Sequence, residues 1–77
     1  MLVRLLEVFG DQESYADLIG TSGCLKNAGA DGLTYFPDGR GEFLCLDVRK
    51  KKRRRPDRIR VSTKYGNTFV FRIVREN

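Results

Sequence analysis

Histidine and tryptophan are absent from this 77-residue chain, methionine occurs once, and cysteine and proline occur twice each. Without histidine, neither a Cys–His nucleophile pair nor a zinc site of mixed cysteine and histidine ligands can be assembled. No apolar run approaches the roughly 20 residues that a membrane span requires. The opening MLVRLLEVFGDQ turns polar after eight or nine residues and carries no small-residue cleavage site, so no signal peptide is expected. In a chain without an export signal, Cys24 and Cys45 are expected to be free thiols packed in the fold. The acids near turns, among them Asp31, Asp38 and Glu42, do not mark a general acid and base, and no phosphate-cradling loop of the Walker type is present. These absences predict a single small domain, residues 1–77, that is not an enzyme and needs no cofactor or metal. The expected setting is cytoplasmic, or nuclear in a eukaryotic source, with no membrane contact.

Positive charge is what the chain has in excess, and it is concentrated. Residues 49–60, RKKKRRRPDRIR, hold nine Lys or Arg and one acid, for a local charge of +8; the remainder holds six and nine, for −3; together they make the net +5. A body made basic throughout would suggest tuning for solubility, whereas one cluster on a mildly acidic body suggests a contact.

The apolar pattern predicts the elements. Residues 2–9 are apolar on both alternating faces (Leu2, Leu6, Val8 against Val3, Leu5, Phe9), which reads as a strand covered on both sides. Asp11 or Ser14 caps a short helix to about Ile19, with Tyr15, Leu18 and Ile19 on one face and Gly20 as its stop. Residues 20–32 contain four glycines and allow at most one helical turn over 24–28. A short strand at 33–36, the turn PDGRG and a strand at 42–48 follow, the last with Leu44, Leu46 and Val48 opposite Phe43 and Cys45. A C-terminal hairpin joins 58–64 to 68–74 through Tyr65, Gly66 and Asn67, with Asn67 left-handed. That loop pairs Thr63 with Phe69, Val61 with Phe71 and Ile59 with Ile73. The expectation is an α+β fold: an antiparallel sheet of four to five strands with one short helix packed on it. The basic run, 49–57, is then the loop between the third and fourth strands.

In that setting Arg49, Lys50, Lys51, Lys52, Arg53, Arg54 and Arg55 read as phosphate ligands on an anchored loop. Arg58, Arg60, Lys64 and Arg72 extend the patch onto the sheet, and Tyr65 at the hairpin tip is nominated as a base-stacking ring. Tyr35 and Phe36 are weaker stacking candidates, and Phe36, Phe43, Phe69 and Phe71 are assigned to the core. Nucleic acid, RNA or DNA, is the expected partner. The alternative is an acidic protein surface, met by a small regulator or inhibitor of the kind that phages and mobile elements carry. KKKRRRP also has the composition of a monopartite nuclear localisation signal.

Gly20-Thr21-Ser22-Gly23 resembles the GxxG loop of KH domains, and the order strand, helix, GxxG, short helix, two strands resembles the type I form in outline. The chain departs from that pattern where Thr21 and Ser22 stand in place of basic residues, where Gly29 and Gly32 cut the second helix, and in its terminal hairpin. No family is assigned on it.

Overall fold

Alternating β-branched and aromatic residues dominate the architecture. A computed structural model, which describes residues 1–74, contains six strands: β1 (Leu2–Phe9), β2 (Ser22–Asn27), β3 (Gly32–Pro37), β4 (Leu44–Arg54), β5 (Arg58–Thr63) and β6 (Thr68–Ile73). Consecutive strands pair antiparallel, and β1 pairs with β6 to close a barrel. This corrects the expected α+β fold: strand makes up 58% of the described residues and helix 8%, so among them no helical layer exists to cover a sheet. The inward side chains of six curved strands cover one another instead. Tyr35, Phe69, Phe71, Leu5, Val3 and Val61 are the largest fully buried residues. Among the described residues no helix is long and apolar enough to cross a membrane.

The expected helix is a 3₁₀ segment, Glu13–Leu18, set between β1 and β2. Its N-cap is Gln12, without a side-chain capping bond, and not Asp11 or Ser14 as expected; Asp11 stands one residue earlier and accepts from the Ser14 hydroxyl at 2.6 Å and its N–H at 3.4 Å. Tyr15 meets Phe69 edge-on at 5.0 Å and Leu18 is buried, but Ile19 faces out. Its packing is that of a plug on the core and not of a layer.

Two bulges explain where the pattern misled. In β1, Leu5 lies opposite Phe71 but Glu7 opposite Val70, so Leu6 is an extra residue. The insertion lets Val3, Leu5 and Val8 all point inward, while Phe9 turns out to solvent. One covered face with a phase shift imitates a strand covered on both. In β4, Val48 pairs with Thr63 but Lys50 with Ser62, which makes Arg49 the extra residue.

The glycine-rich segment holds β2 where irregular chain or a helical turn was expected at 24–28. At Gly23 a Cβ would run into the Phe36 carbonyl, so this glycine marks close contact between β2 and β3, not a break. The last hairpin has the expected faces but a register moved by two: Val61 pairs with Phe69 and Ile59 with Phe71. Its loop is Lys64, Tyr65 and Gly66, closed by Thr63 N–H to the Asn67 carbonyl at 2.8 Å. Gly66, at φ +87°, takes the left-handed position assigned to Asn67. The Asn67 side chain accepts the Asp11 N–H at 2.8 Å instead. Both thiols are free, Cys24 half-buried and Cys45 exposed, so Cys45 is not packed as expected.

Candidate nucleic-acid interface

The basic run is not a loop. β4 continues to Arg54, and the turn to β5 is three residues, Arg55, Pro56 and Asp57. Lysine and arginine are poor strand formers alone. Here pairing with β5, whose Ile59, Val61 and Thr63 are buried, imposes the extended conformation. Arg55 holds φ +58°, a left-handed value for a residue with a Cβ. The turn is tied down by Ile73 N–H donating to the Asp57 carbonyl at 2.7 Å. The run is therefore a two-stranded ribbon fastened to β6.

A ribbon sorts its side chains by face. Lys51 lies opposite Val61 and Arg53 opposite Ile59, on the inner side. Lys50 opposite Ser62, Lys52 opposite Arg60 and Arg54 opposite Arg58 lie on the outer side. Arg49, displaced by the bulge, lines the same outer groove as Lys52 and Arg60. The bulge thus leaves Arg49, Lys50, Lys52 and Arg54 outside and only Lys51 and Arg53 inside. Crowding lowers the Lys52 pKa, through neighbouring Lys50 first and Arg54 after it.

The outer face continues beyond the ribbon. Arg54 pairs with Arg58, Arg58 with Arg72, Arg72 with Arg4, and Arg4 with Ser22. Four arginines thus stand directly opposite one another on four successive strands, β4, β5, β6 and β1. At about 4.8 Å per strand the row spans about 14 Å of the barrel's girth. Among the described residues Asp57 is the acid that meets it, 2.9 Å from Arg58 Nη1 and 3.6 Å from Arg72 Nε. Asp17 and Glu42 are held elsewhere by Arg40, at 2.7 Å and 3.1 Å, and Asp31 lies 3.8 Å from Lys64 Nζ.

A second groove opens beside the row, lined by Phe9, Leu6 and Val70 with Arg54, Arg58 and Arg60. Glu7 contributes the one carboxylate among its described lining residues. The Arg60 guanidinium carbon lies 5.6 Å from the Phe9 ring centroid, a cation–π distance.

Of the residues read from the sequence, the structure brings Arg49, Lys50, Lys52, Arg54, Arg58, Arg60 and Arg72 to one face, with Arg55 at its turn. Lys51 and Arg53 stand on the inner side. Lys64 and Tyr65 belong to the opposite end of β5, about 20 Å along the strand from Arg58. There Lys64 Nζ approaches Asp31 at 3.8 Å, and the Asp47 carboxylate raises the Tyr65 phenol pKa. Tyr65 is exposed, but in acidic company. Tyr35 is buried, its hydroxyl bound to Thr21 at 2.8 and 3.0 Å, whereas Phe36 and Phe43 are exposed and not core.

Sequence reasoning missed Arg4 and Phe9. Arg4 reaches the site only through the β1–β6 pairing of the two ends of the chain, and Phe9 only through the Leu6 bulge. The GxxG likeness does not survive either, because Ser22 and Gly23 are already in β2. Among the described residues no three His, Cys, Asp or Glu side chains are grouped to hold a metal. Comparison of the chain with family models, with curated proteins and with solved structures finds no match.

Proposed function

We propose that this protein binds nucleic acid, without selecting sequence, through the outer face of the β4–β5 ribbon and the arginine row that carries it to β1. The observation that carries this reading is the row itself. Like charges directly opposite in a sheet are destabilising. One bland purpose for ribbon charge is to keep a free strand edge from pairing with another chain. That purpose accounts for Lys51 and Arg53, beside the part of β4 that β3 does not reach. It does not account for Arg58, Arg72 and Arg4, which lie on strands paired along both edges. A phosphate backbone lying across the strands relieves the repulsion and releases counterions, which supplies affinity without base contacts.

The test is a titration with duplex DNA, single strands and structured RNA at two salt concentrations. If five to seven phosphates are engaged, log K falls against log salt with a slope of roughly −4 to −6. Arg4→Gln and Arg72→Gln each flatten that slope by about one unit across all sequences alike. Undetectable binding at low salt removes the reading and moves the acidic-protein partner into its place. An unchanged slope in both variants removes the row from the site.

A further inference from the structure

Phosphate contacts treat every nucleic acid alike, but one exposed side chain at this face is not suited to phosphate. Phe9 is the last residue of β1, and the residue is 44% exposed. Solvent gains nothing from an aromatic ring, and at this position the ring adds nothing to the barrel core. Phe36, Phe43 and Tyr65 are exposed as well. Phe36 and Phe43 pack on each other at 5.7 Å, away from the ribbon, and Tyr65 sits beside Asp47. Among the described residues, Phe9 is the exposed ring that shares a groove with the cations: Leu6 and Val70 extend its apolar floor, and Arg54, Arg58 and Arg60 border it. Arg60 already lies against the ring, so ring and guanidinium offer two flat surfaces side by side.

Flat apolar surface beside positive charge is chemistry for an unpaired base. Bases within a duplex have both faces covered by their neighbours, and reaching one requires unstacking. Bases of a single strand present a free π-face next to their own phosphate. We propose that the Phe9 groove is a stacking site for an unpaired nucleobase, so that the nucleic acid this face takes is single-stranded. The base lies against Phe9 and Arg60, and the flanking phosphates lie on Arg54, Arg58 and Arg72. This rests on the phosphate-binding reading of the same face and goes beyond it by choosing among nucleic acids.

The chain's lack of tryptophan makes the test direct, because Phe9→Trp creates its sole indole. Three labelled probes of about ten nucleotides, within the usual span of such sites, are titrated at low salt: oligothymidylate, an abasic oligomer of equal charge, and a duplex. The parent protein should prefer oligothymidylate over the abasic oligomer by about tenfold, the order expected of one stacked base. Phe9→Leu, which keeps apolar cover but loses the ring, should abolish that preference and leave the salt slope intact, because no phosphate contact is lost. Phe9→Trp should retain the preference, with indole emission quenched by oligothymidylate and unchanged by the abasic oligomer. Equal affinity for the two oligomers with steady indole emission overturns the stacking site while leaving phosphate binding in place. A duplex bound more tightly than the single strand, with Phe9→Leu without effect, overturns it as well. Binding of none of the three removes both readings together.

Discussion

Tyr35 is the residue whose chemistry is most constrained by the fold. It is fully buried in the barrel, yet its hydroxyl finds Thr21 Oγ1 at 2.8 Å and the Thr21 carbonyl at 3.0 Å. Burial raises its pKa, the Thr21 hydrogen bond partly opposing. A tyrosine is charged when deprotonated, so the folded protein keeps a proton that the unfolded chain releases near pH 10. The stabilisation is complete below that pH and is lost as pH rises through and above it. Melting temperature should therefore fall between about pH 9 and 11, the range around the tyrosine reference value. Tyr35→Phe should melt lower at neutral pH, having lost two hydrogen bonds, and show a shallower fall; an equal fall would place the alkaline sensitivity elsewhere. At the same scale, the sequence disclosed the cations of the site but not its geometry. Nothing near Arg4 signals a partnership with Arg72, since the pairing spans nearly the whole chain, and the orientation of Phe9 depends on a single inserted residue.

Among elements, β4 is the one the sequence hides best. The hairpin of β5 and β6 shows itself through alternation, and its two faces follow from pattern even though the register moves by two. The turn PDGRG and the strands around it are legible for the same reason. β4 is not, because seven consecutive cations carry no period and its extended form comes from the partner strand. Beyond Asp47 no described strand pairs with its far edge, and two inward-facing cations, Lys51 and Arg53, stand along that length. Charge so placed deters a second chain from adding on. Replacing both with valine should leave the ribbon formed, since valine favours strands. Sedimentation should then shift to larger species as concentration rises, while the parent is expected to show no such shift. A variant whose sedimentation stays concentration-independent would mean that the ribbon's twist protects the edge by itself.

The whole molecule is a small barrel with its charge unevenly placed, so folding must gather guanidinium and ammonium groups that the unfolded chain keeps apart. Each opposed like-charge pair costs a fraction of a kcal/mol, about 0.2 to 1. Salt screens such pairs, so in the absence of ligand added salt should raise the melting temperature, each kcal/mol recovered being worth about 4 to 8 °C in a domain of this size. Replacing Lys50, Lys51, Arg53 and Arg54 with Gln should raise the melting temperature or leave it unchanged, and flatten its response to salt. A lower melting temperature in that variant would show the cations held in attractive pairs, against the proposed site. The arginine row has one more consequence. It crosses β1, β6, β5 and β4, and the β1–β6 pairing is where the barrel shuts. A polyanion gripping all four guanidinium groups would bind the circumference like a hoop, and its binding energy would return as resistance to opening, about 2.7 kcal/mol at a hundredfold excess over Kd. Amide hydrogens of β1 and β6, remote in sequence from the basic run, would then exchange as slowly as those of the ribbon itself.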